Sequence, residues 1–108
     1  MINFPLELLE NSPIPLDDKA LKSLNIYGNL LVEWNEKMNL TAITEPRAVV
    51  IKHFLDCLTF FSAVDLAQNA KIIDVGTGAG FPGMVLKIAR PDLKVTLLDS
   101  LNKRLVFL

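Results

Sequence analysis

The sequence predicts an α/β protein in which a helical region precedes the first β-α-β unit of a parallel sheet. Apolar residues recur at three- and four-residue spacing through residues 21–38, as in an amphipathic helix. A glycine-rich loop separates a short apolar run from an amphipathic run within residues 71–89, and a second short apolar run follows at residues 93–98. We therefore expect a helical region over residues 1–66 and a β-α-β unit over residues 67–108.

The first long helix is predicted by its spacing and its first residues. Asp17 and Asp18 precede the run, and acidic side chains complement the positive end of a helix dipole. The apolar positions that share one face are Leu21, Leu24, Tyr27, Leu31, Trp34 and Met38. The pattern predicts one helix of about 20 residues that ends near Asn39.

A second helical stretch is predicted to begin at Pro46, which suits the first position of a helix. It carries apolar residues toward a core, and Cys57 lies among them, where a free thiol usually packs as a small hydrophobic group. Cys57 is therefore a poor candidate for a nucleophile. His53, a lone histidine on this helix, is expected to be a packed or capping residue rather than a proton shuttle.

The segment from Lys71 to Gly83 reads KIIDVGTGAGFPG and predicts a cofactor-binding loop. A short apolar strand runs into a loop with four glycines, and Pro82 then opens a helix. Glycine allows positive φ angles and close approach of a ligand to bare backbone N–H groups. The N-terminus of the following helix favours an anionic group of the ligand. The glycines are Gly76, Gly78, Gly80 and Gly83.

The loop fits two cofactors, and Asp74 favours one of them. Residues Gly78 to Gly83 match the dinucleotide pattern G-x-G-x-x-G, and Asp99 follows Gly78 by 21 residues. The same loop reads as the methyltransferase form, in which an aspartate stands two residues before the first glycine. The carboxylate of Asp74 would repel a pyrophosphate, whereas it favours the ammonium and sulfonium groups of S-adenosylmethionine. S-adenosylmethionine is the favoured cofactor, and a dinucleotide is the alternative.

Asp99 ends the second predicted strand, LKVTLL. Ligands of open parallel sheets bind beyond the carboxyl ends of the strands, so Asp74 and Asp99 are expected to face one crevice. There Asp99 can accept hydrogen bonds from both hydroxyl groups of a ribose. It can also cap a helix that begins at Ser100, and the two roles are compatible.

Composition excludes several classes of protein. The chain of 108 residues has no apolar run near the roughly 20 residues that a membrane span requires, and its first residues do not resemble a signal peptide. One cysteine suits a reducing cytosol, so we expect a cytoplasmic protein without membrane contact. Formal charge is −4 over residues 1–70 and +3 over residues 71–108. This basic half is compatible with a nucleic-acid substrate without establishing one; its candidate contacts are Lys87, Arg90, Lys94, Lys103 and Arg104.

Four motifs in order resemble a known family. They are Trp34–Asn35 with Asn39–Leu40–Thr41, then His53-x-x-Asp56-x-Leu58, then Asp74 to Gly83, then Leu97–Leu98–Asp99–Ser100 followed by Lys103–Arg104. The string resembles the glucose-inhibited division protein B family, the RsmG-type methyltransferases of bacterial small-subunit ribosomal RNA, over residues 16–108. One departure is Cys57, where that family often has serine.

The resemblance implies a fold, a cofactor and a substrate. It implies the N-terminal part of a Rossmann-like methyltransferase fold that uses S-adenosylmethionine to methylate a guanine of 16S ribosomal RNA at N7. Gly76, Gly78, Gly80 and Phe81 match the cofactor loop of the family, and Asp99 matches its acid after the second strand. With Asp74 these are the expected cofactor-binding residues. We assign no catalytic residue, because guanine N7 carries no proton, and we expect no metal.

The resemblance also implies that the chain is a fragment with an incomplete sheet. We expect the isolated 108 residues to bind cofactor weakly, to lack activity and to self-associate, because parallel strands normally need cover on both faces. Two other functions remain possible from the sequence. One is a dinucleotide-dependent oxidoreductase domain, and the other is a non-catalytic nucleotide-binding interaction module.

Overall fold

A computed structural model describes residues 2–38, 45–75, 80–81 and 83–98, and side chains are described for these residues except 36–38. Its longest element is helix α1, Asp18–Met38, with 21 residues, which confirms the length that the spacing predicts. The expected end at Asn39 lies outside the described residues.

Helix α1 begins with a side-chain cap and carries the N-terminal segment on its surface. Asp17 Oδ1 accepts a hydrogen bond from the backbone N–H of Ala20 at 2.7 Å, which satisfies one of the free donors of the first turn. Asn29 Oδ1 accepts from the N–H of Ile2 at 2.7 Å, and Asn25 Oδ1 accepts from the N–H of Phe4 at 2.9 Å. Two asparagines of the helix therefore hold the first residues of the chain.

The second helical stretch consists of four consecutive pieces. They are α2 (Pro46–Ala48), a π-helix (Val49–Leu55), α3 (Asp56–Leu58) and α4 (Phe60–Ala63). The structure confirms that a helix begins at Pro46. The π-helix was not predicted, and it is an uncommon conformation that occurs frequently at functional sites.

Residues that follow form a β-α-β unit, as the sequence predicts. Strand β1 (Lys71–Val75) pairs in parallel with β2 (Lys94–Leu98), and α5 (Gly83–Ala89) lies between them in sequence. The register aligns Ile73 with Thr96 and Asp74 with Leu97. Both strands therefore end at the same edge of the sheet.

The connection before β1 is tied to the turn after α5 by Arg90. Its guanidinium donates to the carbonyl of Leu66 at 3.0 Å and forms a salt bridge with Asp92 at 2.8 Å. Asp92 in turn accepts a hydrogen bond from the N–H of Asn69 at 2.9 Å. These bonds lower the pKa of Asp92, with the Asn69 N–H as the largest cause.

One hydrophobic core joins the helical stretches to α5. Its largest fully buried side chains include Phe54, Leu24, Leu31, Leu58 and Val85. Within the part of the chain that the structure describes, by contrast, one face of the two-stranded sheet is exposed, since Ile73, Val75 and Leu98 are 65%, 77% and 47% exposed. Within the described residues, no helix is both long enough and apolar enough to cross a membrane.

Candidate cofactor site

Asp74 lies near the end of β1 and binds the start of α5. Its Oδ2 accepts a hydrogen bond from the backbone N–H of Gly83 at 3.0 Å. A carboxylate is favourable at this position because the first N–H groups of a helix carry partial positive charge. The sequence predicts that an anionic group of the ligand meets this helix end, and the structure places a carboxylate of the protein itself there.

Gly83 is required for the close approach of α5 to the sheet. A Cβ atom at this position would lie 2.4 Å from Leu97 Cδ2 and 3.0 Å from Asp74 Oδ2. Both distances are shorter than a normal contact between these atom types. The last glycine of the motif therefore serves helix–strand packing, a role that the third glycine of such loops usually has.

Gly80 supplies the backbone turn at the end of the glycine loop. Its φ of 101° lies in the region that residues with a side chain rarely adopt. Its carbonyl accepts a hydrogen bond from the N–H of Met84 at 2.7 Å. The turn at Gly80 therefore leads the chain directly into α5 and fixes where the next side chain, that of Phe81, can point.

Phe81 is surrounded by rings from the helical region. The imidazole of His53 stacks on it with 4.3 Å between ring centroids and 14° between ring planes. The rings of Tyr27 and Phe54 lie at 5.7 Å and 6.5 Å in tilted arrangements. Since Tyr27 belongs to α1 and the other two belong to the π-helix, both long helical stretches contact the end of the glycine loop.

A groove of about 440 Å³ borders Phe81 on the side of α3 and α4. It is lined by Asp56, Cys57, Thr59, Phe60, Ala63 and Phe81. Aromatic and small apolar walls with one carboxylate suit a flat organic group better than a hydrated ion. The groove therefore provides open space beside Phe81, the one described loop residue with a large side chain.

Burial shifts the pKa of three side chains near Phe81, those of Cys57, Tyr27 and His53, and in each case favours the neutral form. Burial is the main cause that raises the pKa of Cys57 to about 12, and the charges of Asp56 and Asp74 raise it further. Burial also raises the pKa of the Tyr27 phenol, with smaller contributions from Cys57 and Asp74. Burial lowers the pKa of His53, which Asp56 partly opposes. The Tyr27 phenol and the Cys57 thiol are therefore not activated nucleophiles, and His53 is a neutral imidazole.

Two of the predicted RNA contacts have partners within the protein. Lys87 Nζ donates to the carbonyl groups of Pro91 and Leu93, both at 2.6 Å, and Arg90 holds the connection described above. Lys94 is exposed at the start of β2. The side chains of Lys87 and Arg90 therefore bind backbone carbonyl groups of the protein itself, close to the C-terminal end of α5, where cations are favourable.

Comparison with known proteins gives the family. The family model described as rRNA small subunit methyltransferase G matches residues 20–108. The chain is 57% identical over 93 residues to ribosomal RNA small subunit methyltransferase G of Alkaliphilus metalliredigens, which covers 86% of the chain and 39% of the relative. The protein of the same name from Staphylococcus carnosus is 50% identical over 107 residues, with 99% of the chain and 45% of the relative covered. The chain belongs to the rRNA small subunit methyltransferase G family.

The chain spans about two fifths of the length of the curated relatives it matches. The matched share of the relative is 39% for Alkaliphilus metalliredigens, 45% for Staphylococcus carnosus and 42% for Bacillus cereus. This finding supports the expectation that the chain is part of a longer methyltransferase G. The matched region includes all four motifs on which the resemblance rests, since they lie between residues 34 and 104.

The structure brings together three of the six residues that the sequence assigns to the cofactor. Asp74, Gly80 and Phe81 lie around the start of α5. The other three, Gly76, Gly78 and Asp99, lie outside the described residues. Sequence reasoning missed the contacts of Phe81 with Tyr27, Phe54 and His53, because no spacing rule links residues so far apart. No group of three or more potential metal ligands occurs among the described residues.

Proposed function

We propose that the protein to which this chain belongs transfers the methyl group of S-adenosylmethionine to N7 of a guanine in 16S ribosomal RNA. The observation that carries the proposal is the arrangement of Asp74, Gly80 and Gly83 at the end of β1, in a chain of the methyltransferase G family. The names of the relatives support a ribosomal RNA substrate, and the sequence resemblance supports the choice of guanine N7. Such a substrate places the protein in the cytoplasm, with the small ribosomal subunit or its RNA as partner.

We also propose that β1, α5 and β2 are the first unit of a Rossmann-like sheet. The parallel pairing of the two strands and the close packing of Gly83 against Leu97 support this interpretation. In this arrangement residues 1–66 form a helical region and residues 67–108 begin the methyltransferase domain. The ring contacts of Tyr27 and His53 with Phe81 support a position of the helical region beside the proposed cofactor loop.

The described residues fit S-adenosylmethionine better than a dinucleotide. Asp74 puts negative charge beside the loop and already binds the first N–H of α5, so a pyrophosphate would meet repulsion there. Gly76, Gly78, Gly80, Phe81 and Asp99 complete the set that we propose to hold the cofactor. Within this set, Gly80 provides the turn and Phe81 provides an apolar wall.

The chemistry requires orientation more than proton transfer. Bound S-adenosylmethionine supplies a methyl group activated by a positively charged sulfur. Guanine N7 has a lone pair and no proton, so the protein does not need a general base. The contribution of the protein is to align the reacting atoms and to exclude water, and we assign no catalytic residue.

Asp74→Asn tests the charge of the site separately from its hydrogen bond. Asparagine keeps an oxygen that can accept from the N–H of Gly83, but it has no negative charge. We expect weaker binding of S-adenosylhomocysteine and no gain of NADH binding, measured by calorimetry. If the parent and Asp74→Asn both bound NADH with the same affinity, this result would favour the oxidoreductase alternative.

The isolated 108 residues are expected to bind cofactor weakly, to be inactive and to self-associate. The exposed apolar face of the sheet, formed by Ile73, Val75 and Leu98, supports this expectation, because such a face normally contacts other elements. In a pure sample, a second copy of the chain is the partner that can cover this face. Light scattering should give a mass above that of a monomer, and Val75→Lys should lower it. A monodisperse monomer that methylates RNA would contradict the proposal.

The decisive experiment examines ribosomal RNA from strains with and without an intact copy of the gene that encodes this chain. Reduction of the RNA and cleavage with aniline reveals each N7-methylguanine as a cut. Loss of one cut in the small-subunit RNA, restored when the gene is supplied again, would establish the reaction and its target base. An unchanged pattern of cuts would reject this substrate.

A further inference from the structure

Among the described residues, the stacking of His53 on Phe81 is the closest ring contact at the end of the glycine loop. The 4.3 Å separation and the 14° angle describe nearly parallel rings in contact over their faces. His53 is half-buried and belongs to the helical region, whereas Phe81 directly follows the turn at Gly80. One side chain of the helical region therefore rests on the end of the proposed cofactor loop.

The conformation of the helix that carries His53 is a second, independent observation. Val49–Leu55 is a π-helix of seven residues between α-helical pieces. A π-helix is rare and less stable than an α-helix, and it occurs frequently at functional sites. Here it places Phe54 in the fully buried core and the adjacent His53 against Phe81. The π-helix therefore carries one residue that packs in the core and a neighbouring one that contacts the end of the loop.

Phe81 is fixed from both sides of the chain. Before it, the turn at Gly80 is closed by the 2.7 Å hydrogen bond from Met84. After it, Gly83 is held by Asp74 at 3.0 Å. The Phe81 side chain is therefore the point at which the helical region can restrain this loop end, and restraint before binding reduces the entropy that a ligand must overcome.

We propose that His53 is a positioning residue, whose ring holds Phe81 and with it the end of the glycine loop in the conformation that binds the cofactor. This inference rests on the proposed function, since it concerns the same loop and the same ligand. The neutral imidazole is the form that stacks at pH 7, because burial lowers the pKa of His53 and Asp56 opposes this only in part. His53 therefore acts through Phe81 and needs no contact with the reacting atoms.

The test uses residues 1–108 joined to the remaining sequence of the Staphylococcus carnosus relative, which matches 107 residues of the chain. His53→Leu removes the ring at similar size, and His53→Phe restores a ring without the nitrogens. Lys52→Ala, at an exposed neighbour in the same π-helix, is the matched control. Calorimetry gives the Kd for S-adenosylhomocysteine, kinetics give KM for S-adenosylmethionine and kcat, and thermal unfolding reports the fold.

We expect His53→Leu to weaken binding about two- to tenfold, the range that corresponds to one aromatic pair. The KM for S-adenosylmethionine should rise by the same factor while kcat changes little. His53→Phe should bind within about twofold of the parent, and Lys52→Ala should not differ from it. A residue with only a structural role would lower the unfolding temperature without separating KM from kcat.

Each other result has a definite meaning. If the parent binds no S-adenosylhomocysteine while the intact relative does, the proposed function fails. If the parent binds and His53→Leu binds equally well, the positioning role is wrong. If His53→Phe is as weak as His53→Leu, ring stacking is not the cause and the inference is also overturned. Should His53→Leu fail to fold, His53→Gln takes its place in the same comparison.

Discussion

Replacement of Phe54 by alanine should destabilise the chain by about 3–5 kcal/mol, the usual cost of truncating a buried phenylalanine. Phe54 is 0% exposed, and the centroids of three rings lie near its own. These belong to Phe4 at 6.4 Å, Tyr27 at 5.9 Å and Phe81 at 6.5 Å. They come from three separate segments of the chain, so no single side chain can move to fill the cavity.

The assay is urea unfolding of the 108-residue chain, followed by the fluorescence of Trp34, the single tryptophan. With a slope of about 1–2 kcal/mol per molar urea, the midpoint should fall by roughly 2 M or more. Ile51→Ala is the matched control, because Ile51 lies in the same π-helix with 38% of its surface exposed. A loss below about 1 kcal/mol for Phe54→Ala would refute the packing described here, given that such changes normally cost several times more.

Three further predictions concern a cap, a thiol and a carboxylate. Glu45→Ala removes the side-chain cap of α2 and should cost about 1 kcal/mol in urea unfolding; no loss would argue against the cap. Cys57, 8% exposed with its pKa raised to about 12, should resist iodoacetamide at pH 8 until the chain is unfolded, as mass spectrometry would show. The pKa of Asp92 is lowered in the folded state, so its contribution is present above the ordinary value and is lost as pH falls through the lowered one. Between pH 5 and 2, a range about the ordinary carboxyl pKa, the unfolding temperature should therefore fall less for Asp92→Asn than for the parent. The control is Asp65→Asn, which changes an exposed carboxylate in the connection before β1 and should behave like the parent.

The helices differ in how far the sequence predicts them. Helix α1 was predicted with its length because a long amphipathic run over residues 18–38 has few alternatives. The second stretch was predicted as helical, but its π-helix at Val49–Leu55 was not. A π-helix has slightly more residues per turn than an α-helix, so over a short stretch both helices place nearly the same residues on the apolar face. The pattern therefore does not distinguish an α-helix from a π-helix over seven residues.

The pairing of β1 with β2 was predicted, but the hydrogen bonds between side chains and distant backbone groups were not. Asn25 and Asn29 bind the backbone of Ile2 and Phe4, and Arg90 binds the carbonyl of Leu66. Each of these bonds joins a side chain to a backbone group, which any residue could supply. The identity of the partner residue therefore does not help to predict the bond. The charge of the second half suggested that Lys87 and Arg90 contact RNA, because a count of cations records how many are present but not what they bind.

Asp74 shows how the predicted chemistry of the site and its structure fit together. The sequence argument used only the charge of this carboxylate, which disfavours a pyrophosphate and favours a cationic ligand. The structure adds that Asp74 binds the N–H of Gly83 and that Gly83 has no room for a side chain against Leu97. One residue thus sets the charge of the loop and also fixes the helix that follows it. Because asparagine could keep the hydrogen bond to Gly83 but not the negative charge, substitution of Asp74 separates the packing of the helix from the charge beside the loop.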